Sequence, residues 1–518
     1  MINQFNETPL RCTLERFLSK KMFFRVILVF YLFACLVFYP FYKYQINVDA
    51  IAYLSISKKY LNADFYNAVN GYWSPLLSIT YLPFLAIGLD QLEVTKLTSI
   101  IFGAVVLFLL KKILGTLKIE LKYTNLLLLS LVPTIIYFGY TVISPDLLFL
   151  AIFTIYIFLI LSKKYLKSYK HSVLIGLIGS LLYLTKSFGF IFFIAHFTLV
   201  NLVFFISFKQ KRRLIKSVLF AFLTFCVISG IWIIIISNKY GYLTFGTSAK
   251  HNHAIIGPKL YPRPFFDNRI FIPPNATALT ASEDPSYLEI EDWNSISSLW
   301  NLKYQFFIFR NNLLRALILL STLSIFMVPI FLLALYKMYT FRERIKNNPN
   351  LLLLTLSGFM YPLLYSNILV EERYLWPVSV VGAILFFLFF KKIRSFFLTL
   401  FLISLVIYPT SELYKNINSG KQYYQLAQEV GKLNLGKFNF ASNNSVANSQ
   451  FIAFYNKSRY FGKLGDFKDR PLLVQMLKSY GINYYFVWEE NKMKNKLKGF
   501  LPEINQNKIP ELKIYKVN

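Results

Sequence analysis

Four isolated groups of ionisable residues stand at the ends of long apolar stretches. Asp49 follows the first stretch, Asp146 begins another, Lys186 lies in a turn between two, and Glu371-Glu372-Arg373 separates two more. Ionisable groups at the ends of membrane spans are costly and tend to be paired or functional. A carboxylate there could act as a general base toward a hydroxyl or an amine. Nearby cations could bind a phosphate and stabilise the charge that it gains on leaving. These residue types suit the transfer of a group from a lipid phosphate.

The composition places these residues in a membrane protein. The chain has 518 residues, of which 56% are hydrophobic and 16% are charged, and its mean hydropathy is +0.47. A soluble protein carries about a quarter charged residues. The hydrophobic residues come in blocks of roughly 17–22, which are long enough to cross a bilayer as helices. A soluble enzyme, a disordered chain, a coiled coil and a fibrous protein are excluded, and we predict an all-α polytopic membrane domain.

The net charge of +31 does not indicate a nucleic-acid partner. Much of the Lys and Arg lies in short clusters between apolar blocks, where membrane topology places it. A nucleic-acid-binding protein has a concentrated basic face instead. The three cysteines, Cys12, Cys35 and Cys226, form neither a disulfide framework nor a zinc-ligand spacing. The predicted surroundings are therefore a lipid bilayer, with no nucleic acid.

The apolar blocks and the basic loops predict a topology of about eleven spans. With a cytoplasmic N-terminus, the loops that face the cytoplasm are basic, as at 111–122, 163–170 and 209–216. An odd number of spans places the C-terminal region on the outer face. The predicted spans are 22–42, 97–112, 123–141, 147–163, 171–185, 188–207, 215–236, 313–337, 350–369, 375–391 and 395–409.

Three longer stretches are predicted on the outer face, at 43–96, 237–312 and 411–518. Residues 76–90 are apolar but short and contain Pro83, so we interpret them as a helix at the membrane interface. The chain is expected to divide into a transmembrane domain at 1–410 and a soluble α/β domain at 411–518. Within the latter, strands are predicted at 438–441, 483–488 and 512–517, and helices at 445–456 and 471–480.

Motifs of soluble enzymes are absent from the sequence. It has no phosphate loop, dinucleotide fingerprint, nucleophile elbow, HExxH or Asp-x-Asp pair, so no cofactor is expected. His251 and His253 lie in one outer loop, with Glu283 and Asp284 further on. A His-x-His pair beside carboxylates can bind a divalent cation. Loop hydrogen bonding and contact with an acceptor are the alternative interpretations.

Several segments resemble the GT-C membrane glycosyltransferases. The first outer loop, VDAIAYLSISKKYLNADFYNAVNGYWSPLLSITYLPF, is similar to theirs in having an Asp beyond the first span, a Tyr-containing amphipathic helix and a Trp–Pro–Leu stretch. SPDLLFLAIFTIYIFL at 144–159 resembles the second acidic position, and YLTKSFGF at 183–190 and YGINYYFVW at 480–488 are further matches. VEERYLWPV at 370–378 resembles the Glu-Arg-Tyr-Leu-x-Pro pattern of the family-39 branch. That branch includes protein O-mannosyltransferases and the bacterial aminoarabinose and galacturonic acid transferases.

The resemblance implies a reaction and a set of residue roles. One sugar would pass, with inversion, from a polyprenyl-phosphate donor to an acceptor hydroxyl on the outer face. Asp49 would be the general base, and Asp146 would orient the acceptor or assist. The implied site residues are Asp49 and Asp146 for catalysis; Lys186, Arg373, Glu372 and Tyr374 for the donor phosphate; and Tyr53, Trp73, His251 and His253 for sugar or acceptor contact.

The sequence departs from the mannosyltransferases at one position, because Ala50 stands where they have the second member of an Asp-Glu pair. A glycolipid, lipopolysaccharide or cell-surface glycan acceptor is therefore favoured over a protein. The expected location is a bacterial inner membrane, with the N-terminus cytoplasmic and the C-terminus periplasmic.

Two other functions fit parts of the pattern. A polymerase or ligase of lipid-linked glycans would share the outer-face site but use a lipid diphosphate. A transporter or flippase would place charge near the bilayer midplane and often show repeated halves, features that the sequence does not display.

Overall fold

A computed structural model describes residues 18–162, 164–165, 168–207, 211–258, 268–288, 290–340, 349–390, 395–465 and 469–488. Near the C-terminus it describes residues 497, 499–505, 508–509 and 511–517. The N-terminal half contains α1 (Phe23–Tyr42), α2 (Val48–Leu61), α3 (Phe65–Ala68), α4 (Leu76–Ala86), α5 (Gln91–Thr116), α6 (Leu121–Tyr140), α7 (Asp146–Leu161), α8 (Tyr169–Thr185), α9 (Phe188–Ser207), α10 (Lys211–Tyr240) and α11 (Ser248–Ile255).

The C-terminal half continues with helices and the strands of one sheet. The elements are β1 (Arg269–Ile270), α12 (Leu299–Leu323), α13 (Met327–Thr340), α14 (Pro349–Tyr365), α15 (Trp376–Phe389), α16 (Ser395–Lys415), α17 (Lys421–Gly431), β2 (Asn439–Ser442), α18 (Val446–Tyr455), β3 (Arg459–Lys463), α19 (Arg470–Ser479), β4 (Tyr484–Trp488) and β5 (Leu512–Lys516). Short 3-10 helices lie at Ala281–Glu283, Pro285–Tyr287 and Glu372–Leu375.

The helices form a multi-pass membrane domain. Within the described residues, eight helices are long and apolar enough to cross a membrane, and four shorter ones are also apolar. Their buried faces share one continuous apolar core. The prediction of an all-α polytopic domain is confirmed, while the number of eleven crossings stays a prediction. The helix ends at Asn47, Asp146, Lys186 and Glu371 lie together, and we call this the loop-rich side of the domain.

One predicted span is wrong, because the structure has two helices where a single helix was predicted. Residues 313–337 belong to two helices, because α12 ends at Leu323 and α13 begins at Met327. Ser324 breaks the helix with an extended backbone, and its hydroxyl contacts the Ser404 hydroxyl of α16 at 2.7 Å. A serine side chain competes with the helix for backbone hydrogen bonds. The helix also starts much earlier than predicted, because the Ser298 side chain caps it by accepting from the Asn301 amide.

The short apolar segment within the predicted outer stretch 43–96 forms a helix that is too short to span a bilayer. α4 has 11 residues and is therefore about 16 Å long at the α-helical rise. It packs against α2, where the Ser78 hydroxyl donates to the Tyr53 carbonyl at 2.9 Å. The length of α4 agrees with the prediction that residues 76–90 do not cross the bilayer, and its position at the membrane interface stays a prediction.

Four C-terminal strands and β1 from the large loop build a five-stranded mixed sheet in the order β1-β3-β2-β4-β5. β2 pairs in parallel with β3 and β4, while β5 is antiparallel to β4. The predicted strands and helices of the tail lie within one or two residues of β2, β4, β5, α18 and α19. β3 and α17 were not predicted. Strand β1 comes from the 237–312 loop and pairs with Gly462 and Lys463, so a boundary at residue 411 does not separate the sheet from that loop.

The sheet domain is joined to the membrane helices by aromatic contacts. Phe451 and Phe454 of α18 are buried in the apolar core of the membrane domain. Tyr44 stacks on Tyr424 of α17 with ring centroids 4.4 Å apart. Helix α18 also packs against α2, the helix that carries Asp49. The sheet domain therefore lies next to the loop-rich side, where the predicted site residues are.

Candidate active site

Asp49 and Asp146 are brought together by the chain that precedes each of them. Asp49 is in the first turn of α2, and Asp146 is in the first turn of α7. Asn47 joins the two segments, because its amide oxygen accepts from the Ile143 backbone N–H at 2.9 Å and its Nδ2 donates to the Ile143 carbonyl at 3.2 Å. Carboxylates in a first turn are also favoured by the helix dipole. Two acids nearly 100 residues apart in sequence thus lie side by side.

Arg373 links the carboxylates into one cluster. It lies in the 3-10 turn Glu372–Leu375, just before α15. Its Nη2 donates to Asp49 Oδ2 at 2.9 Å, and its Nε donates to Glu371 Oε2 at 2.8 Å. The same Nε lies 3.6 Å from Asp146 Oδ2. A planar guanidinium can hold several carboxylates in fixed directions, which an ammonium cannot do.

Lys186 is held from the other side of the cluster. It lies between α8 and α9, and its Nζ donates to Asp146 Oδ1 at 2.7 Å. The ammonium also lies 3.9 Å from the ring centroid of Tyr374, which stacks on Tyr365. Burial lowers the pKa of Lys186, and the Asp146 carboxylate acts in the opposite direction. Only one of the three ammonium donors is used by these contacts, so the group can bind a further anion.

These groups line a cavity of about 580 Å³ on the loop-rich side. We call it the main cavity. Its size falls within the range of small-molecule sites. Its walls combine the charged cluster with aromatic and apolar side chains, including Phe188, Ile191 and Phe245. Eight of the ten residues predicted for the site line it: Asp49, Tyr53, Trp73, Asp146, Lys186, His251, Arg373 and Tyr374.

The two acids differ in exposure. The side chain of Asp49 is 29% exposed and that of Asp146 only 3% exposed. Asp146 Oδ2 is buried without a hydrogen-bond partner among the described residues, although Arg373 lies nearby. Asp49 is therefore the more accessible of the two carboxylates, while Asp146 is placed to hold Lys186.

Glu372 lies away from the main cavity. It lines a second cavity of about 440 Å³, which shares Val48, Asp49, Glu371 and Arg373 with the first. Its carboxylate accepts hydrogen bonds from the hydroxyls of Tyr137 and Tyr408. Successive residues of a 3-10 helix point about 120° apart, since it has three residues per turn. Arg373 and Glu372 therefore face different directions. We call this the acidic cavity, because Asp49, Glu371, Glu372 and Glu412 line it with Arg373.

The residues considered for a metal do not come together. His251 and His253 lie two positions apart on α11, so their side chains point to opposite faces. His251 contacts the Tyr72 ring, whereas His253 stacks on Trp293 and bonds to Gln305 at 2.9 Å. No group of three or more His, Cys, Asp or Glu in the described part of the chain could hold a metal. Burial lowers the pKa of His251 to about 4, so it lines the cavity as a neutral ring near pH 7.

Two aromatic residues predicted for sugar contact face the main cavity. Tyr53 packs edge-on against Trp73, with ring centroids 5.2 Å apart. Trp73 Nε1 donates to the Ser282 carbonyl at 3.0 Å, which fixes the ring against the large loop. Burial raises the pKa of the Tyr53 hydroxyl well above its usual value. The lining residues that sequence reasoning missed include Tyr72, Ser187, Tyr365 and Gln450.

No protein-family model and no curated protein sequence matches the chain. Solved structures do match it. ArnT from Cupriavidus metallidurans bound to undecaprenyl phosphate has a TM-score of 0.58 at 11% identity, covering 95% of this chain and 98% of that one. The apo state of the same protein has a TM-score of 0.55 at 12% identity, covering 95% of this chain and 97% of that one. The Archaeoglobus fulgidus oligosaccharyltransferase in the apo form has a TM-score of 0.53 at 10% identity, covering 90% of this chain and 70% of that one.

The fold is that of the GT-C membrane glycosyltransferases. The resemblance of the scattered segments predicted this, and the prediction is confirmed. At 10–12% identity the likeness establishes the GT-C fold alone, so the roles of individual residues rest on the site geometry.

The large loop of this GT-C fold is attached by a buried ion pair. Lys59 of α2 donates to Glu283, and the two side chains are 4% and 2% exposed. Ser55 also donates to Glu283 at 2.6 Å. The pair fixes the turn that carries Ser282, the partner of Trp73. The loop wall of the main cavity therefore depends on it.

Glu283→Gln is expected to lower the free energy of unfolding by about 3–5 kcal/mol, since it leaves the Lys59 charge buried without its partner. Thermal unfolding of the purified protein in lipid measures the loss. Adding Lys59→Met should recover much of it, because the uncompensated charge is then gone. Asp292→Asn is the matched control, since Asp292 and its partner Lys250 are 50% and 60% exposed. That change should cost at most about 1 kcal/mol. Equal effects at Glu283 and Asp292 would contradict the attachment.

Proposed function

We propose that the protein transfers a single sugar from a polyprenyl-phosphate donor to an acceptor hydroxyl. The observation that carries the proposal is the main cavity, in which a reachable carboxylate lies next to two cations and an aromatic wall. The GT-C neighbour ArnT, solved with undecaprenyl phosphate, supports a donor of this chemical class. The chain's own residues supply the groups that such a transfer requires.

Asp49 is the proposed general base. Its carboxylate removes the proton of the acceptor hydroxyl as the oxygen attacks the anomeric carbon. The bond from that carbon to the phosphate oxygen breaks, and polyprenyl phosphate leaves with the electron pair. Attack from the face opposite the phosphate inverts the anomeric configuration. Asp146 bonds to Lys186 Nζ at 2.7 Å and is less exposed than Asp49, so it is the proposed positioning residue for Lys186.

Lys186 and Arg373 are the proposed phosphate ligands, with the Tyr374 ring beside them. Preorganised cations stabilise the charge that the phosphate gains as the sugar departs. In the structure Arg373 bonds to Asp49. A bound phosphate would compete for the guanidinium and leave Asp49 freer to accept a proton. This exchange couples donor binding to activation of the base.

The acidic cavity bears on the kind of saccharide. Four carboxylates and a single arginine line it, and Asp49 is at its border with the main cavity. We propose that it admits the acceptor or the sugar next to Asp49. Like charges repel at close range in a partly desolvated site. Neutral or amine-bearing saccharides are therefore expected to react faster than uronic acids.

The reaction is proposed for the outer face of a bacterial inner membrane, with a periplasmic C-terminus. The support is the distribution of charge, since basic clusters such as Lys111–Lys122 lie at the helix ends away from the site. A glycolipid, lipopolysaccharide or cell-surface glycan is the proposed acceptor.

A panel of donors tests the proposal against its alternatives. Purified protein in lipid receives polyprenyl-monophosphate sugars of several kinds, a diphosphate-linked oligosaccharide and a crude glycolipid extract, and mass spectrometry follows the lipid products. Turnover of one monophosphate sugar is expected. Consumption of the diphosphate donor alone would favour a polymerase or ligase. Movement of intact lipid across a vesicle membrane without cleavage would favour a flippase.

Asp146→Asn is expected to move the alkaline limit of donor binding to lower pH. Lys186 binds phosphate in its charged form, and the Asp146 carboxylate raises its pKa against the effect of burial. Without that carboxylate the pKa falls further, so the charge is lost at a lower pH than in the wild type. Donor KM measured from about pH 6 to pH 10 shows the shift. An Asp146→Asn profile that superimposes on the wild-type profile would contradict the positioning role.

A further inference from the structure

The sheet domain forms part of the wall of the main cavity. Val446, Ala447 and Gln450 of α18 line it together with residues of the membrane helices. The next turns of α18 are firmly placed, because Phe451 and Phe454 are buried in the core of the membrane domain. This wall is therefore built into the packing between the two domains.

Gln450 is the polar residue of that wall, and its hydrogen bonding is incomplete. Its side chain is only 2% exposed. Its Oε1 is buried and has no hydrogen-bond partner among the residues that the structure describes. Most buried side-chain polar atoms in proteins are paired, so an unpaired one calls for an explanation. Because Gln450 lines the main cavity, a molecule bound there is the natural source of the missing donor.

We propose that Gln450 binds a hydroxyl or amine of the saccharide in the main cavity. The sheet domain, which carries Gln450, is then part of the substrate site. The inference rests on the proposed function and extends it to a residue that selects the sugar. A carboxamide both donates and accepts hydrogen bonds, and a sugar hydroxyl does the same. A site that bonds a substrate hydroxyl discriminates strongly against an analogue that lacks it. The sugar of the donor and the sugar of the acceptor offer this same chemistry.

Gln450→Leu in the full-length protein tests the inference. The change keeps a similar volume and removes the carboxamide. We expect the KM for one substrate to rise about tenfold, the effect of losing one hydrogen bond to a substrate. A rise for the donor alone assigns the contact to the donor sugar, and a rise for the acceptor alone assigns it to the acceptor. Inhibition by polyprenyl phosphate, which has no sugar, should not change.

A purely structural role for Gln450 predicts the opposite set of results. A structural role predicts that Gln450→Leu lowers the midpoint of thermal unfolding and leaves both KM values within twofold of the wild type. Those KM values would overturn the inference. Gln428→Leu on the exposed face of α17 is the matched control and should leave both KM values unchanged. If Gln450→Leu does not fold, the unbranched Gln450→Met replaces it. Wild-type protein that turns over no polyprenyl-phosphate sugar would overturn the proposed function, and this inference with it.

Discussion

Asp49→Asn is expected to lower the rate of sugar transfer by about 10²–10⁴-fold, the usual contribution of a general base. The amide has the same shape and can still accept a hydrogen bond from Arg373, but it cannot take the proton of the acceptor hydroxyl. The loss should therefore appear in kcat, with the KM for the donor changed much less. Steady-state rates with the active donor measure both quantities.

The control for Asp49→Asn is Asp292→Asn, because Asp292 is exposed and lies in a surface ion pair. It should have wild-type rates. If folded Asp49→Asn retains activity within a few fold of the wild type, Asp49 is not the base. Asp146 would then become the candidate, because it also lines the main cavity.

Arg373→Lys is expected to reduce sugar transfer by about 10²–10³-fold, comparable to removing a group that stabilises the developing charge. Arg373 donates to Asp49 and Glu371 through two different nitrogen atoms. A lysine has a single charged nitrogen and cannot hold both carboxylates and a phosphate in the same geometry. Both the donor KM and kcat should change, because the residue holds the base in the free protein and the phosphate in the complex.

Arg310→Lys provides the matched control, since Arg310 lies on the exposed face of α12. Its rates and its thermal unfolding midpoint should match those of the wild type. Wild-type activity in Arg373→Lys would show that a point charge is enough at this position. The proposed exchange of Arg373 between Asp49 and phosphate would then be wrong.

The gathering of the charged site residues could be predicted from the sequence. Asp49, Asp146, Lys186 and Arg373 each stand at a helix end on the same side of the domain, so the alternation of spans and basic loops brings them to one level. Which of these charged side chains contact each other could be learned only from the structure, because it depends on local contacts such as that of Asn47 with Ile143. Helix α5 began earlier than predicted, although its capping box of Asp90 and Glu93 was visible in the sequence.

Other features of the site could not be predicted from short sequence patterns, because they depend on domain packing or on the direction of a side chain. The position of Gln450 in the cavity wall depends on the packing of the sheet domain against the membrane helices, which no short pattern encodes. The histidine pair was considered as a chelate, but residues two apart on a helix point to opposite faces. The resemblance implied Glu372 for the donor phosphate together with Arg373, whereas the 3-10 turn directs Glu372 to the acidic cavity. For the histidine pair and for Glu372, the structure adds the side-chain direction within an element.

The most direct test of the account is the stoichiometry of polyprenyl phosphate release. Wild-type protein in lipid is given a polyprenyl-phosphate sugar labelled in the sugar and an acceptor extract, and released polyprenyl phosphate and labelled acceptor are quantified by mass spectrometry. The account predicts one polyprenyl monophosphate for each sugar transferred, and neither product in folded Asp49→Asn. Sugar transfer without release of polyprenyl monophosphate, or release that is unchanged in Asp49→Asn, would contradict it.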